Sequence, residues 1–513
     1  MFRLLRTATD RRQTSAAVIA GCPWGDVDRI VFQPVTELAG ALARREISSR
    51  ELLEAYLENI EAVNPAVNAV VTLDADAALA AAGTADAARA SGVEVGPLHG
   101  VPMTIKDSIE TAGIRTTSGS PDLAEHVPSR DADAVARLRA AGAIIFGKTN
   151  LPTLAMDWQS YNPLFGVTNN PWDETRAAGG SSGGSAAAIA AGLTGLELGS
   201  DIRGSLRVPA HFCGVFALKP TFGIVPGRGH IPGPPGVLSG ADMGVLGPLG
   251  RSAEDLDLAL GVLAGADPVQ AKAWRLDLPP PRAESLGEYR IAAWLDDGYC
   301  AVDGATRSLL HEAVEALRGA GGSIDESARP VGIAEAHEVY ERLFAAAISA
   351  GMPDFVLEAI EASTPPGATE DDPLALKIAR AYSQRHRDWI LLHEHRLQLS
   401  ARWAAFFQDY DALLCPVTPT PAIPHDHSAD LESRTILVDG ERRSYLEQSV
   451  WSSLAGAAYL PSVVVPVGRS KEGLPVGMQV IAPHLEDRTA IDIAKQIGQV
   501  TGGYQVPPLA QRG

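Results

Sequence analysis

The sequence GGSSGGSAAAIAAGLTGLELGSDIRGSLRVPA, residues 179–210, is the stretch that says most about how this chain folds. A run of glycine and serine opens a helix of small residues, which the pattern places from Ser185 to Leu193. A short apolar strand, Leu196 to Leu198, follows and leads into a second turn around Ser205. Helices and strands that alternate through tight turns are typical of layered α/β folds. The stretch therefore predicts the α/β fold class.

The same alternation extends outward from this stretch. A strand from Val101 to Lys106 lies upstream, and a helix from Asp131 to Ala141 precedes a buried strand from Ala143 to Phe146. Ser48 and Glu51 have the spacing of a capping box, so a helix is expected to begin there. Downstream, the pattern predicts the strand Tyr289–Leu295, the helix Ala305–Leu317, a helical stretch over residues 331–410, and strands at Ala412–Leu414 and Ser462–Val467.

The chain divides into two parts on this pattern. Residues 1–33 show no strong period and are interpreted as a loosely held N-terminal arm. Residues 34–505 are interpreted as one domain, since neither an internal repeat nor a long linker interrupts them. Within that domain, residues 331–410 differ in composition and are richer in His, Arg and Tyr.

Composition and charge exclude several classes of protein. The chain has 513 residues, of which 46% are hydrophobic and 20% charged, so extensive disorder is excluded. It carries 43 Lys and Arg against 62 Asp and Glu, a net charge of −19. That acidity argues against a nucleic-acid partner and against an anionic membrane surface.

The cysteines and the apolar runs indicate the cellular compartment of the protein. Cys22, Cys213, Cys300 and Cys415 are far apart, which argues against a disulfide framework and against a zinc ribbon. No apolar run reaches the ~18 residues of a membrane span, and the N-terminus lacks the pattern of a signal peptide. We expect a cytoplasmic protein.

Two motifs suggest chemistry that their surroundings do not support. The glycines at 179–184 precede a helix and could cradle a phosphate, but no Walker lysine follows. The same residues fit the nucleophile elbow G-x-S-x-G around Ser181, although a loop precedes it where that elbow needs a strand.

The histidine pairs His393/His395 and His425/His427 have i, i+2 spacing, which points side chains apart on a helix. We expect no metal site.

Lys106, Ser181 and Ser205 form the stronger candidate group, because each stands where a strand or helix meets a turn. A serine nucleophile needs a base, and a buried lysine with a lowered pKa can serve. The turn Asp201–Arg207 presents successive backbone N–H groups to one point, which is what an oxyanion requires.

Together these motifs resemble the amidase signature family. The resemblance covers roughly residues 34–500 and is weakest over 331–410, where such stretches shape the substrate pocket in the family. The segments that carry it, in chain order, are Asn68–Val70, Gly100–Asp107, Gly147–Asn150, Gly179–Ser185, Asp201–Pro209, Gly247–Ser252 and Gly473–Gln479.

The resemblance implies an α/β/α sandwich whose central mixed β-sheet is flanked by helices. It places Ser205 at the nucleophile, Lys106 at the base, and Ser181 at a bridging serine preceded by a cis peptide bond. Backbone N–H groups at the oxyanion hole then come from residues Ile202, Arg203, Gly204 and Ser205. Three further residues match positions that hold this turn: Ser182, Asp201 and Arg207. No metal or organic cofactor is implied.

One residue departs from the family pattern. The pattern has Gly or Ala at position 203, where this chain has Arg203. The backbone N–H can still donate, but the side chain must leave the turn, either outward or toward the mouth of the pocket.

The expected function is hydrolysis of C–N bonds in small amides, anilides and carbamates (urethanes). Dimers are common in the family, so a homodimer is one expected state. Two alternatives stay open: the A subunit of a glutamyl-tRNA amidotransferase, and a non-catalytic binding protein on the same scaffold. The amidotransferase block usually has Gln before its proline–alanine pair, whereas Val208 stands there in this chain.

Overall fold

A computed structural model describes residues 30–233, 235–365 and 372–511. Most of the predicted N-terminal arm, residues 1–29, lies outside the described residues. The last part of that arm is not loosely held: Ile30 and Val31 are buried in the main hydrophobic core. Their side chains are apolar, so burying them stabilises the attachment of the chain at this point.

The described residues form seventeen strands. Six of these pair as three short two-stranded sheets, β4 with β5, β6 with β7 and β14 with β15, and the other eleven form one large sheet. The strands are β1 (Val70–Leu73), β2 (Pro102–Lys106), β3 (Ile144–Thr149), β4 (Tyr161–Asn162), β5 (Gly166–Val167), β6 (Asn169–Asn170), β7 (Asp173–Ala177), β8 (Glu197–Asp201), β9 (Phe216–Lys219), β10 (Val245–Gly250), β11 (Arg290–Ala293), β12 (Ser323–Asp325), β13 (Ala412–Pro416), β14 (Thr435–Val438), β15 (Glu441–Ser444), β16 (Ser462–Arg469) and β17 (Pro475–Ile481).

The large sheet is mixed, with the order β1-β3-β2-β8-β10-β9-β16-β17-β13-β11-β12. The trio β3, β2 and β8 is parallel, and so is the trio β13, β11 and β12. The other pairings in the large sheet are antiparallel. Since β2 and β8 run in parallel, their carboxyl ends reach the same edge of the sheet. Lys106 and Asp201 are the last residues of these two strands.

Helices flank the sheet, as the resemblance implies. The helix α3 (Ala75–Ala90) packs against β3, α7 (Ala253–Leu263) against β10 and α14 (Asp487–Thr501) against β16. The α-helices of the described residues are α1 (Val35–Arg44), α2 (Ser49–Val67), α3 (Ala75–Ala90), α4 (Asp133–Ala140), α5 (Gly183–Ala190), α6 (Arg207–Cys213), α7 (Ala253–Leu263), α8 (Gly304–Gly319), α9 (Ile333–Ser349), α10 (Asp354–Ser363), α11 (Leu374–Ala381), α12 (His386–Asp409), α13 (Val450–Ala457) and α14 (Asp487–Thr501). Short 3₁₀ helices lie at Pro121–Leu123, Thr153–Ala155, Gln270–Lys272, Leu286–Glu288, Tyr445–Ser449 and Pro508–Gln511.

Local signals in the sequence account for several of these boundaries. The predicted capping box is present: Ser48 accepts from the N–H of Glu51, whose carboxylate accepts from the N–H of Ser48. The helix α5 begins two residues before the predicted Ser185, because Gly183 and Gly184 are helical although glycine is a poor helix former. In the stretch over residues 331–410, which is predicted to be helical, the described residues (331–365 and 372–410) contain four helices, α9 to α12.

Two hydrophobic clusters support the fold. The larger one fills the space between the sheet and its flanking helices. The smaller one joins α9, α12 and α13 to β13, with Tyr340, Trp403 and Trp451 among its fully buried side chains. Within the described residues, no helix is both long enough and apolar enough to cross a membrane.

Candidate active site

Lys106 ends β2 with its side chain fully buried. Its Nζ lies 2.6 Å from the Oγ of Ser181, 3.0 Å from that of Ser182 and 2.9 Å from that of Ser200. Burial lowers the pKa of Lys106 to about 7, although the charges of Asp201 and Glu197 oppose the shift. A substantial fraction of this lysine is therefore neutral near pH 7 and able to accept a proton.

Ser181 stands two residues before the first residue of α5, Gly183. The peptide bond between Gly180 and Ser181 is cis, as the resemblance implies. A Cβ on Gly180 would lie 2.4 Å from the carbonyl oxygen of Asp157, so no other residue fits there. The close contact between these two backbone segments fixes the position from which Ser181 reaches Lys106.

Ser205 lies in the turn between β8 and α6, which the carboxylate of Asp201 organises. That carboxylate accepts from the N–H groups of Gly204 and Leu206, and from the side chain of Arg207 at 3.0 Å. Burial by itself raises the pKa of Asp201, but the charge and hydrogen bonds of Arg207 outweigh it and lower the value to about 2. Asp201 is therefore ionised and holds the turn at neutral pH.

Arg207 extends this support to distant parts of the chain. Its guanidinium is fully buried and donates to the carbonyl of Ser452 at 2.7 Å and to Oε1 of Gln479 at 2.9 Å. These residues belong to α13 and β17. Ser182, the third residue predicted to hold the turn, donates its backbone N–H to the carbonyl of Ser205 at 3.1 Å. The three predicted supporting residues thus lie in contact with the turn.

The backbone of the turn differs from the prediction at Gly204. Its N–H donates to Asp201 at 2.8 Å, and its φ of +87° lies in the left-handed region that favours glycine. It is therefore not free to serve an oxyanion. Within the described part of the chain, the N–H groups of Ile202, Arg203 and Ser205 have no protein acceptor. Three of the four predicted donors are thus available.

The Arg203 side chain does not point outward. Its guanidinium makes two hydrogen bonds, of 2.9 and 2.6 Å, with the buried carboxylate of Glu341 on α9. It also lies over the rings of Trp158 and Phe344, 4.6 and 4.8 Å from their centroids. Burial opposes ionisation of Glu341, but the charge of Arg203 together with hydrogen bonds to His337 and Ser449 lowers the pKa of that carboxyl to about 2. The sequence pattern had no signal for this partner.

Trp158 and Tyr161 are two aromatic residues whose side chains contact other parts of the protein. Trp158 is buried and donates its Nε1–H to the carbonyl of Arg203 at 2.8 Å. Tyr161 accepts from Arg434 at 2.8 Å and stacks on His427. Trp158 therefore packs against the turn that carries Ser205.

The structure brings Lys106 and Ser181 into direct contact, and the carbonyl of Ser205 accepts from the N–H of the next residue, Ser182. No hydrogen bond joins the hydroxyls of Ser181 and Ser205 in the described part of the chain. Two residues that sequence reasoning missed complete the lysine cluster. Ser200 contacts Lys106, and His230, on the loop between β9 and β10, contacts Ser200 at 2.9 Å. Ser200 directly precedes the Asp201 motif, and this position is the sequence signal that could have identified it.

The predicted histidine pairs lie elsewhere in the molecule. On α12, His393 contacts Arg396 and His395 contacts Glu335, so the two rings have different partners. The rings of His425 and His427 are 5.3 Å apart and tilted. Among the residues that the structure describes, no three His, Cys, Asp or Glu side chains are grouped so that they could hold a metal ion.

Comparison with known proteins supports this fold. The amidase family model matches residues 51–491, and the chain belongs to the amidase signature family. A 6-aminohexanoate cyclic dimer hydrolase, solved with its substrate, has a TM-score of 0.74 and 26% identity, covering 94% of this chain and 100% of the other. The protein is therefore an enzyme of the class that cleaves C–N bonds.

Two curated relatives are more similar in sequence. The A subunit of the glutamyl-tRNA(Gln) amidotransferase of Roseiflexus sp. (strain RS-1) is 36% identical over 491 residues, which cover 91% of this chain and 96% of the relative. The protein of the same name from Acidothermus cellulolyticus is 34% identical over 487 residues, covering 89% and 92%. Similarity to these proteins extends over nearly the whole chain.

Proposed function

We propose that this chain breaks amide C–N bonds by transferring the acyl group to Ser205. The observation that supports this most is the 2.6 Å contact between Ser181 and Lys106, a buried lysine whose pKa is lowered to about 7. A neutral lysine beside a serine hydroxyl is a base in contact with its proton donor.

The proposed reaction begins with two proton transfers. Lys106 takes the proton of Ser181, and Ser181 takes the proton of Ser205. The Ser205 oxygen forms a bond to the substrate carbonyl carbon, whose oxygen becomes an oxyanion. The N–H groups at 202, 203 and 205 are the donors available to it. The contact between the two serine hydroxyls forms only when substrate is bound, as catalytic hydrogen bonds often do.

Collapse of the tetrahedral intermediate breaks the C–N bond. Ser181 gives its proton to the leaving nitrogen, the amine departs, and Lys106 returns its proton to Ser181. An ester of Ser205 remains. Water then loses a proton to the same relay and attacks the ester, which releases the acid and restores Ser205.

The proposed substrates are amides and anilides of small or aryl acids, together with carbamates. A carbamate presents the same planar carbonyl and the same poor amine leaving group, and an aryl amine leaves more readily. The Arg203 cation is paired with Glu341, so we assign it to the shape of the turn rather than to binding a substrate carboxylate.

A second candidate function is that of an amidotransferase component, and the curated relatives favour it. In that role, the chain would work in a complex that amidates glutamyl-tRNA. The net charge of −19 argues against direct binding of tRNA by this chain, so another protein of the complex would have to supply that contact. Val208, where the amidotransferase proteins usually have Gln, favours the free-standing hydrolase.

The two candidates differ in what the purified chain can do alone. A free-standing hydrolase releases aniline from a simple anilide or aryl carbamate without another protein. An amidotransferase component is inert toward these substrates by itself and co-purifies with its partner proteins from its native cells. Anilide turnover without carbamate turnover would restrict the proposed range to amides.

The role of Ser205 is tested with Ser205→Ala and a fluorophosphonate probe. We expect covalent labelling to disappear and kcat to fall by at least about 10⁴-fold, the scale of losing a catalytic nucleophile. Ser433→Ala is the matched control, because that serine lies on an exposed turn and contacts only the carbonyl of Asp430. A Ser205→Ala protein with near-normal activity would overturn the proposal.

A further inference from the structure

His230 approaches the lysine cluster from the loop between β9 and β10. Its Nε2 lies 2.9 Å from the Oγ of Ser200 and 3.2 Å from that of Ser108. The backbone beside it is held to the segment after β2, because Ile231 donates to the carbonyl of Ser108 at 2.7 Å. Ser200 in turn lies 2.9 Å from the Nζ of Lys106. The ring thus reaches the lysine through one serine hydroxyl.

Counting protons in this cluster limits the directions that its hydrogen bonds can take. A neutral lysine has two N–H donors and one lone pair, and Lys106 has three hydroxyl neighbours. The hydroxyl of Ser182 donates to the carbonyl of Ser200 at 3.2 Å, so it can only accept from Lys106. One lysine N–H is therefore directed to Ser182.

The hydroxyl of Ser200 decides where the lone pair points. If that hydroxyl donates its proton to His230, it accepts the second N–H of Lys106, and the lone pair is left for Ser181. If it donates to the lysine instead, it occupies the lone pair that must take the proton of Ser181. The orientation of a single hydroxyl therefore separates a lysine that can act as a base from one that cannot.

We propose that His230 is a positioning residue that accepts the proton of Ser200 and so directs the lone pair of Lys106 toward Ser181. The inference rests on the proposed function of Lys106 as the base. It requires a neutral ring whose proton is on Nδ1. Burial, and then the charge of Lys106, lower the pKa of His230 to about 3, so the ring is neutral at pH 7. Asp201 and Glu197 act on the lysine itself and oppose its shift.

The first test is His230→Phe, which keeps a ring and removes the acceptor. We expect kcat to fall about tenfold or more, the scale of one misdirected hydrogen bond, with KM unchanged. His230→Gln should keep most of the activity, because its amide oxygen can accept the same proton. His126→Ala is the control, since that part-buried histidine contacts Glu110 and lies outside the lysine cluster.

The decisive test adds Ser200→Ala to His230→Phe. Removing the hydroxyl removes the competitor for the lone pair, so the double variant should be more active than His230→Phe alone. If the ring has a purely structural role, the losses of kcat in His230→Phe and in Ser200→Ala should multiply in the double variant, and that result would overturn the proposal. An unchanged kcat in His230→Phe would also overturn it. If the Phe variant does not fold, a tenfold loss in His230→Gln would count against the proposal.

These outcomes are separable from failure of the proposed function. If Ser205 is not the nucleophile, Ser205→Ala keeps its activity whatever stands at position 230. If only the role of His230 is wrong, fluorophosphonate labelling and turnover still depend on Ser205, while His230→Phe has the kcat of the unmodified enzyme.

Discussion

Lys106 and Lys148 lie on neighbouring parallel strands, β2 and β3, and both side chains are fully buried. Their surroundings differ in one respect. Lys106 contacts three serine hydroxyls. Lys148 contacts the carbonyl of Ile109 and the hydroxyls of Thr111 and Thr116, at 2.8 and 3.2 Å for the two hydroxyls. A carbonyl can only accept, so Lys148 must donate one of its N–H groups to the backbone.

The comparison shows that burial alone does not identify a base. Burial lowers the pKa of Lys106 to about 7 and that of Lys148 to about 8. It also lowers the pKa of Lys219 to about 7, although that lysine contacts the carbonyl of Pro220. What distinguishes Lys106 is a hydroxyl neighbour, Ser181, that stands beside the turn of Ser205. The assignment of the base therefore depends on contacts rather than on pKa.

Replacing each lysine by Met should separate the two roles most strongly. Lys106→Met should lower kcat by about 10³- to 10⁴-fold, the scale of losing a general base, with partial recovery at high pH. Lys148→Met should leave kcat per folded molecule nearly unchanged. It should lower the free energy of unfolding by about 1–3 kcal/mol, because the carbonyl of Ile109 and the hydroxyls of Thr111 and Thr116 all lose a buried hydrogen-bond donor. Steady-state kinetics and urea unfolding measure both effects, and equal losses of kcat would erase the distinction.

The pH dependence of kcat should report on Lys106 alone. The lysine acts as a base only when neutral, and its pKa is lowered to about 7, so kcat should fall about tenfold per pH unit below that value and level off above it. Lys148→Met should keep this acid limb at the same place. A limb near the ordinary carboxyl range, or one that moves in Lys148→Met, would assign the titration to another group.

Removing single hydroxyls should give the smallest effects. Ser182→Ala takes one acceptor from Lys106 and should lower kcat only about two- to threefold, less than His230→Phe, because a lysine N–H without an acceptor leaves the lone pair open to Ser181 for much of the time. Thr111→Val takes one acceptor from Lys148 and should change only stability, by about 1 kcal/mol. If Thr111→Val lowers kcat as much as Ser182→Ala does, the two lysine sites are coupled.

Much of the fold could be predicted from the sequence, because apolar runs and capping signals are local. The strands ending at Lys106 and leading to Ser205 were found this way, as was the helical stretch after residue 331. The strands β9, β10 and β17 and the helices α13 and α14 were not assigned. The order of the strands in the sheet was not predicted either, since it is set by pairing between segments far apart in the chain.

The candidate site also contains some residues that the sequence could identify and others that it could not. Lys106, Ser181 and Ser205 could be named because they stand in contiguous motifs of a known family. Glu341, 138 residues from Arg203, could not be assigned as its partner, and His230 was not connected to Ser200. The bond from the N–H of Gly204 to Asp201 could not be predicted either, because a motif does not say which N–H groups a neighbouring carboxylate occupies.

The Arg203–Glu341 pair has a consequence for engineering the enzyme. Helix α9 lies within residues 331–410, and the pair ties it to the turn that carries Ser205. A chimera that takes this segment from a relative without an acid at the corresponding position would leave Arg203 a part-buried cation without its carboxylate. Breaking one side of a fully buried ion pair costs about 3–5 kcal/mol, which is an upper bound for this part-exposed arginine. The helical segment and residue 203 must therefore be exchanged together, as one module.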